Sequence, residues 1–574
     1  MGPIGPEPGF SGPEPVKPRF STGATLAILV VLLIAGSSAA ALMAASLNHG
    51  PGASPSQLAV GPTSGETPSI APVSSSGPSQ PAGAASTQPT PTHRPHGSPS
   101  PAPTLGPTGQ VAMPFVPVVS FWSTDTAISL ADLKGALSGA SSTYSSVVVP
   151  TGDGQAIAGA LGITLGSGVQ SASPAQIAVA VRNGALGVLR AGDVGPNVRA
   201  LGIGDVSLFG ENRLKDLSQW PLTAMLNAPL GQAWDGSHLW TMLAGGDMFM
   251  DRGIYREVVQ QKKGVDFPFD GGTAVVTGHH CCGQYVTTYE IPDVKLTGNA
   301  GAVRALVQNA DLAVANLETP VPDNWVYHAH DYIFSSNPAL LPMFTDAGID
   351  FVTIANNHIK DFGSAGIASS RRNLAAAGLK FAGAGMNLAQ AGAPTYLQAN
   401  GTKVGIVACE GVSSAYYATP TKAGALPCNV PDVVRSIKIA RKNADLVIVF
   451  AHWGVEYDNN PLSSMPGLAQ AWIKAGAGLI LGAHTHVPGA IDQIDGKVVF
   501  FSLGNFIFDQ TFRTATMESA LPEMTFNGDQ LVQITLHPFV APDSQPNLLN
   551  PATDDGAAVM DTIRRASQNV GLKW

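Results

Sequence analysis

Six hydrophobic runs in the second half of the chain each end in a cluster of polar residues. The runs have the length and composition of buried strands, and amphipathic segments between them predict helices, as in a layered α/β domain. Ligands of an open α/β sheet gather beyond the carboxyl ends of its strands, so we expect the clusters to converge on one cleft. In chain order the clusters are Gly246-Asp247, Asn316-Leu317-Glu318, Asn356-Asn357-His358, His452-Trp453-Gly454, His484-Thr485-His486 and Gly504-Asn505.

The segments between these runs define a domain that we predict to extend over residues 239–574. A final extended run and a terminal helix are expected at 530–537 and 556–566. The other helices are expected at 302–309, 338–347, 364–377, 430–442 and 467–475.

Residues 111–238 show the same alternation and predict a small α/β module of unknown role. Two helices are expected to begin after Ser129 and Ser173, whose hydroxyls can cap a helix N-terminus. No His occurs between Met113 and Ser237, so a structural or polymer-binding role is favoured over a second enzyme. Strands are expected at 116–121, 146–149 and 186–189.

An uncharged apolar stretch near the N-terminus predicts a single membrane span. Residues 24–47 exceed the roughly 20 residues that a bilayer span requires. Lys17 and Arg19 precede the stretch, so the positive-inside rule predicts a cytoplasmic tail at 1–23 and extracellular main domains. A cleaved signal peptide is the alternative, because the small residues at 39–45 could offer a cleavage site. Either arrangement exports the rest of the chain through the cell membrane.

Composition separates a tether from the folded domains and excludes one class of partner. Residues 48–110 consist largely of Pro, Ser, Thr and Gly, which predicts a disordered linker. Over all 574 residues 44% are hydrophobic, which is ample for two buried cores. Only 12% are charged and the net charge is −9, so nucleic acid is excluded as a partner.

The polar clusters supply the ligands of a divalent metal site. Three His, two carboxylates and an amide form a mixed N/O set that suits Mn, Fe, Zn or Mg and needs no Cys. His484 and His486 are two positions apart and would face opposite ways in a straight strand, so the chain must bend for both to serve the site. Two metals bridged by one carboxylate would activate water for displacement at phosphorus.

The ordered motifs resemble one known family. They are similar to the poly-γ-glutamate capsule synthesis proteins of the CapA type, a branch of the calcineurin-like metallophosphoesterases. The resemblance covers residues 239–574, implies a four-layer α/β/β/α sandwich there, and does not reach the first 238 residues. The motifs that carry it are Gly246-Asp247, Asn316-Leu317-Glu318, Ala355-Asn356-Asn357-His358 with Asp361 and Gly363, His452-Trp453-Gly454 with Glu456, Gly482 to His486, and Ser502-Leu503-Gly504-Asn505-Phe506.

The resemblance assigns roles to residues of these motifs. It implies that His358 is the general acid and that Asp361 orients it, although Asp361 could instead cap the following helix. It implies that Glu318 bridges two divalent metal ions. The metal ligands that it implies are Asp247, Glu318, Asn357, His452, His484 and His486. The candidate substrate-binding residues in or beside the motifs are Arg252, Asn316, Trp453, Glu456 and Asn505.

Two positions depart from the phosphoesterase pattern. Phe249 stands where an imidazole usually follows the first Asp, so one metal loses a ligand. Glu318 stands where Asp is usual, and the longer carboxylate can still bridge. Arg252 is close enough in sequence to bind a phosphate or carboxylate, and an exposed cation is the alternative interpretation.

Three functions remain open on this basis. The resemblance implies synthesis, transport or anchoring of an anionic, capsule-type polymer such as poly-γ-glutamate, together with other capsule-synthesis membrane proteins. A metal-dependent phosphoesterase acting on an envelope phosphoester is the second. A non-catalytic polymer-binding module is the third, which the ligand set disfavours and Phe249 keeps open.

The four Cys are expected to face an oxidising compartment. Cys409 ends a predicted strand and Cys428 lies in a predicted loop, and we expect them to form a disulfide. His279-His280-Cys281-Cys282 lacks the spacing of a zinc site and predicts a loop insertion, strained or disulfide-bonded, near the cleft.

Overall fold

The computed structural model describes residues 107–574, with the exceptions of 141–142, 284–285 and 331. The described residues form a mixed α/β fold with several sheets, as the sequence predicts. The tail at 1–23, the span at 24–47 and nearly all of the linker at 48–110 lie outside the described residues. Among the residues described, no helix is both long and apolar enough to cross a membrane.

The first described region is a six-stranded sheet with three helices. The chain enters it at Thr108, slightly earlier than predicted, because residues 108–110 pair with a later strand. Its strands are β1 (Thr108–Ser120), β2 (Ala127–Ile128), β3 (Val147–Pro150), β4 (Val169–Ala172), β5 (Leu186–Arg190), β6 (Val198–Ala200), β7 (Gly202–Ile203) and β8 (Thr223–Pro229). Its helices are α1 (Leu130–Ser138), α2 (Gly154–Leu161) and α3 (Pro174–Arg182).

Within this sheet the strand order is β4-β3-β5-β1-β6, and β8 pairs with β1. The short strands β2 and β7 pair with each other. Ser129 and Ser173 cap α1 and α3 through their side chains, as predicted, so local hydrogen bonding fixes both helix starts.

The second region contains eighteen strands among the described residues. The first nine are β9 (Leu239–Met248), β10 (Thr273–Gly283), β11 (Val286–Gly298), β12 (Leu312–Leu317), β13 (Phe351–Thr353), β14 (Lys380–Ala382), β15 (Ala384–Gly385), β16 (Thr395–Ala399) and β17 (Thr402–Glu410). The others are β18 (Gly424–Ala425), β19 (Leu446–His452), β20 (Leu479–Ala483), β21 (Ile491–Ile494), β22 (Lys497–Phe500), β23 (Asn505–Ile507), β24 (Glu518–Asn527), β25 (Gln530–Val540) and β26 (Asn547–Leu549).

The helices of this region lie between the strands, as the alternation predicts. The predicted helix at 338–347 is two shorter ones, a 3₁₀ turn at Pro338–Leu340 and an α-helix that starts at Pro342, because Pro342 has no N–H to continue the first. The α-helices are α4 (Arg252–Tyr255), α5 (Ala302–Asn309), α6 (Pro342–Thr345), α7 (Gly363–Ala376), α8 (Leu388–Ala391), α9 (Val430–Ala440), α10 (Met465–Ala475), α11 (Thr514–Met517) and α12 (Asp554–Asn569).

Two large sheets organise this region. The ten-stranded sheet has the order β11-β10-β26-β25-β24-β9-β12-β13-β14, with β23 paired to β9. The six-stranded sheet has the order β16-β17-β19-β20-β22-β21. Strands β9, β12 and β13 are parallel, and so are β17, β19 and β20. Their carboxyl ends therefore define the edge at which a ligand site is expected.

The side chains of β19 alternate between two hydrophobic cores. Leu446, Ile448 and Phe450 belong to a core shared by the inner faces of both large sheets. Val447, Val449 and Ala451 belong to a second core, formed with α9 and α10 on the outer face of the six-stranded sheet. This period of two decides which residues at the strand end face the space between the sheets.

The segment His279-His280-Cys281-Cys282 is a strand, so the predicted loop conformation is wrong, whereas the predicted disulfide is confirmed at Cys281. It lies in β10, which pairs with β11 in an antiparallel hairpin. His280 Nδ1 lies 2.8 Å from Asp293 Oδ1 on the opposite strand. Cys281 is disulfide-bonded, so the segment presents no free thiol at that position.

Candidate metal centre

The carboxyl ends of the parallel strands bring the predicted polar clusters together. Asp247 is the penultimate residue of β9 and is in register with Asn316 of β12 on one side and Asn505 of β23 on the other. Glu318 follows β12 directly, and its backbone N–H donates to Met248 O at 2.8 Å. His452 is the last residue of β19. Parallel pairing thus brings three of the six clusters together, and His452 meets them from the six-stranded sheet.

Two groups of side chains at this edge could each hold a metal ion. One group is Glu318, His452 and His484, and the other is Asp247, Glu318 and His486. Within each group the candidate ligand atoms all lie within 4.8 Å of one another, and all five residues are buried. Glu318 belongs to both groups, so one carboxylate lies between two adjacent clusters of ligand atoms.

Glu318 is buried without a hydrogen bond from the described residues, and the His486 imidazolium is a positive charge beside it. Its side chain is fully buried, and neither oxygen accepts a hydrogen bond from any described residue. Its Oε1 lies 3.5 Å from His452 Nε2 and 3.8 Å from His486 Nε2. An isolated buried carboxylate is strongly unfavourable unless a cation or several donors accompany it. The geometry and the donor set therefore fit a cation between the two sheets.

His484 is a second buried side chain with a polar atom that forms no hydrogen bond with the described residues. It is buried, and its Nδ1 has no hydrogen-bond partner among the described residues. Its ring lies 4.8 Å from that of His452, centroid to centroid. Burial and the charges of His452 and His486 lower its pKa well below the usual value, so the imidazole is neutral and can act as a ligand.

Asparagine side chains hold these ligand candidates in place. Asn316 Nδ2 donates to Asp247 Oδ1 at 2.7 Å and lies 3.2 Å from His452 Nδ1. Asn357 Oδ1 lies 2.8 Å from His452 Nε2. Asn505 Oδ1 lies 2.9 Å from His486 Nδ1, and its Nδ2 donates to Thr516 O at 3.0 Å. Asn316 and Asn505, predicted to bind substrate, are buried and instead orient the site.

The protonation states of the cluster reflect its crowded charges. Burial opposes the charged form of Asp247, but the hydrogen bond and charge of His486 outweigh it and lower its pKa to about 2. Burial and the neighbouring Asp247 charge raise the pKa of Glu318 well above its usual value. Burial disfavours the charged form of His486, yet Glu318 and Asp247 raise its pKa to about 9. Burial lowers the pKa of His452 to about 3.

Two left-handed residues allow both histidines of the His484-Thr485-His486 motif to reach the cluster. His484 has φ 96° and His486 has φ 59°, a conformation that is uncommon for residues with a Cβ. Thr485 points the other way, and its Oγ1 donates to Val487 O at 2.8 Å. The predicted bend therefore occurs directly after β20, and its strain is localised at the site.

His358 and Asp361 form a pair at the open side of the cluster. His358 Nδ1 lies 3.0 Å from Asp361 Oδ2, and its Nε2 lies 4.0 Å from Glu318 Oε1. The His358 side chain is 14% exposed, whereas that of Glu318 is fully buried. Asp361 also accepts from Phe334 N at 2.8 Å and does not cap α7. This arrangement directs Nε2 towards Glu318, on a more exposed side of the cluster than Glu318 itself.

Phe249 occupies the position of the absent imidazole and belongs to an aromatic cluster. Its ring stacks on Phe508 at 4.2 Å and contacts Phe334 at 5.4 Å. The Arg252 guanidinium lies over Phe334 at 4.7 Å, and its Nη2 pairs with Asp509 Oδ1 at 2.5 Å. Arg252 is thus close to the site but already bound to a carboxylate.

The structure corrects the predicted substrate contact of Trp453. Trp453 is buried in the outer core, stacks on Trp472 at 5.2 Å and donates through Nε1 to Phe501 O at 3.0 Å. It follows His452 by one residue, so the alternation of β19 directs it to the opposite face of the sheet. Glu456 is exposed, and its charge acts on Glu318 and His452.

Tyr457 is a residue of the site that the sequence motifs did not reveal. Its backbone N–H donates to Thr485 O at 2.7 Å, and its ring centroid lies 6.1 Å from that of His486. It has φ 67°. This positive φ depends on tertiary contacts and leaves no pattern in the sequence. Only the position of Tyr457 next to Glu456 could have indicated that it belongs to the site.

A disulfide joins Cys409 and Cys428 close to the site. Cys409 is the penultimate residue of β17, and the loop that follows packs against the end of β19 through the bond from Gly411 N to His452 O. Glu410 is buried beside it and accepts from the backbone N–H groups of Val412 and Ser413. The disulfide therefore closes a loop that borders the cluster.

The fold and the site define a class: an α/β protein whose buried carboxylate and imidazole groups can hold metal ions at the edge between two sheets. Residues 241–510 match the family model described as "Bacterial capsule synthesis protein PGA_cap". The chain is 31% identical over 284 residues to the "Capsule biosynthesis protein CapA" of Bacillus anthracis, and the aligned region covers 47% of this chain and 68% of the relative. It is 29% identical over 312 residues to the "PGA biosynthesis protein CapA" of Bacillus subtilis, which covers 53% and 79%.

The chain belongs to the CapA-type family of bacterial capsule synthesis proteins.

Proposed function

We propose that this protein acts in the synthesis, transport or anchoring of an anionic, capsule-type polymer through a metal-binding cleft. The observation that carries the proposal is Glu318, a fully buried carboxylate without hydrogen-bond partners among the described residues that is shared by two groups of ligand atoms. The names of the two Bacillus relatives support a poly-γ-glutamate-like polymer as the ligand.

Two divalent ions, of Mn, Fe, Zn or Mg, are the metals that the donor set fits. Glu318 would bridge them, with Asp247 and His486 on one side and His452 and His484 on the other. Bound there, the ions supply Lewis-acid polarisation of a carboxylate or phosphate oxygen. Asn357 would join the second group, since its Oδ1 faces His452 Nε2. Two facing sheets with outer helices support the metallophosphoesterase-type sandwich.

One feature of the sequence and one of the structure support a location outside the cell. We infer that residues 24–47 anchor the protein in the cell membrane and that the described domains are extracellular, where other capsule-synthesis membrane proteins would be partners. The disulfide between Cys409 and Cys428 supports an oxidising compartment, because such bonds rarely persist in the cytosol. Protease shaving of intact cells tests this location: we expect the domain to be digested, and full protection would contradict it.

Metal and polymer binding test the main proposal. Full-length protein purified in detergent is expected to bind Mn²⁺ and, with it, γ-linked glutamate oligomers. Replacing Glu318 by Gln should abolish both, since each ligand group contains that carboxylate. The matched control is Asp529→Asn, an exposed carboxylate on the turn between β24 and β25, at the end of the sheet opposite to the cluster. Polymer binding that is identical with and without metal would contradict the proposal.

Phosphoester hydrolysis is a second candidate, which the His358–Asp361 pair specifically favours. His358 Nε2 could donate a proton to a leaving oxygen, while Asp361 holds Nδ1. We expect His358→Ala to reduce Mn²⁺-dependent hydrolysis of a generic phosphodiester by about 100-fold. His238→Ala is the control, because this exposed histidine precedes β9 and so lies at the end of that strand opposite to Asp247. Absence of turnover by the metal-loaded wild type would exclude this candidate.

A further inference from the structure

Arg513 is held between two aromatic rings at the edge of the candidate metal centre. Its guanidinium carbon lies 4.9 Å from the ring centroid of Tyr457 and 5.2 Å from that of Tyr289. Within the part of the chain that the structure describes, no carboxylate forms an ion pair with Arg513, and its side chain donates no hydrogen bond. Contacts with two aromatic rings fix the position of a guanidinium and leave its N–H donors, which lie in the guanidinium plane, available for a ligand.

Tyr457 connects Arg513 to the metal-ligand candidates. Its backbone is fixed by the bond to Thr485 O, between the two histidines of the motif, and its ring lies beside that of His486. Phe512 packs against the same tyrosine at 5.8 Å. One aromatic ring therefore separates the Arg513 guanidinium from His486.

Tyr289 connects Arg513 to the long β10–β11 hairpin. Tyr289 lies on β11 and is 42% exposed. The next residue along the Arg513 segment, Thr514, donates through Oγ1 to Glu290 O at 2.8 Å. This bond holds the segment to the hairpin, so the guanidinium has a defined position.

The other arginine near the site contrasts with Arg513. Arg252 pairs with Asp509, and its side chain is 17% exposed. Glu456 is exposed and close to Tyr457 in sequence, but it forms no ion pair with Arg513 among the described residues. The Arg513 guanidinium has a fixed orientation and no ion pair with a described residue, and it lies at the border of the cleft. Such a group is suited to bind a carboxylate through two parallel hydrogen bonds.

We propose that Arg513, fixed by Tyr457 and Tyr289, forms a subsite for one carboxylate of an acidic polymer whose neighbouring group lies at the metal centre. The subsite rests on the proposed function and deepens it, because it names a carboxylate-bearing chain as the ligand. The polymer would extend from the metal centre past Tyr457 towards the hairpin. A chain with amides in place of carboxylates would lose the contact.

Binding of labelled oligomers to the full-length, Mn²⁺-loaded protein tests the subsite. We expect Arg513→Gln to weaken binding of a γ-linked glutamate oligomer by about tenfold or more and to make the affinity less sensitive to salt. Arg513→Lys should be intermediate, since lysine keeps the charge but not the planar fork. The α-amidated oligomer, which consists of γ-linked isoglutamine, should bind wild type and Arg513→Gln equally. Arg565→Gln, at an exposed arginine of α12, should bind like the wild type.

Three outcomes would overturn the subsite, and they can be told apart. Equal affinity of wild type and Arg513→Gln for the glutamate oligomer would refute the subsite and leave polymer binding intact. Loss of bound Mn²⁺ in Arg513→Gln would show that the residue acts through the metal centre and would also refute it. Failure of the wild type to bind any oligomer would refute the proposed function together with the subsite.

Discussion

Metal binding should release protons, and the affinity should therefore rise steeply with pH. Without metal, His486 is protonated at neutral pH because Glu318 and Asp247 raise its pKa to about 9. The pKa of Glu318 is also raised, by burial and by the Asp247 charge, so any proton that this carboxyl group holds must leave as well. A metal ion requires both side chains in their deprotonated forms. The perturbation is a change of pH from 6 to 8.

The size of the effect follows from these two protons. At pH 7, removing the proton from His486 costs about 2.7 kcal/mol, since its pKa of about 9 lies about two units above the solution pH. Below that pKa, each displaced proton makes the metal association constant rise about tenfold per pH unit. One or two displaced protons therefore predict a rise of about 10- to 100-fold per pH unit.

Isothermal titration calorimetry with Mn²⁺ in buffers of different ionisation enthalpy measures both quantities. We expect a net release of between one and two protons per metal-binding event at pH 7. His486→Gln should release about one proton fewer, because the variant lacks the imidazolium. An affinity that is constant from pH 6 to 8, with no proton released, would refute this account of the cluster.

Three further predictions concern stability near the site. Burial raises the pKa of Glu410 to about 7, so the stabilisation by its protonated form is fully present below its ordinary pKa and is lost as the pH rises through 7. The free energy of unfolding of Glu410→Gln, measured with urea, should therefore exceed that of the wild type by up to about 3 kcal/mol at pH 8 and should equal it at pH 4. An equal gain at both pH values would contradict this. Replacing Cys409 and Cys428 together by Ala should lower the free energy of unfolding by about 3 kcal/mol, and an unchanged free energy would contradict a stabilising role for this disulfide. Trp453→Phe should lower the free energy of unfolding by about 1 kcal/mol, because the hydrogen bond to Phe501 O is lost, and should leave the Mn²⁺ affinity unchanged. A selective loss of metal or polymer binding in this variant would restore the predicted role of Trp453 in the cleft.

The sequence carried enough information to locate the strand ends and their polar residues. Hydrophobic runs predict β9, β12, β19 and β20, and the rule that ligands gather at carboxyl ends predicts their convergence. The bend at His484 and His486 was expected as well, because two imidazoles at alternate positions cannot otherwise face one site. The alternation of side chains along a strand is a local property, which a sequence pattern records directly.

Residues positioned by the irregular segments were less accessible from the sequence. Period-two alternation, extended by one residue beyond His452, would have placed Trp453 in the outer core. Tyr457 and Arg513 are 56 residues apart in the chain, as their numbers show. Their contact depends on a left-handed turn and on the hairpin that carries Tyr289. Neither feature leaves a periodic signal, so such contacts require the tertiary structure.

The central claim is that Glu318 is shared by two metal-binding groups. The most direct measurement is the metal content of full-length protein, by inductively coupled plasma mass spectrometry after equilibration with Mn²⁺, for the wild type, Glu318→Gln and Asp361→Asn. We predict bound metal in the wild type and in Asp361→Asn, whose carboxyl group contacts His358 and belongs to neither group, and no bound metal in Glu318→Gln. A Glu318→Gln protein that retains the metal content of the wild type would contradict the account.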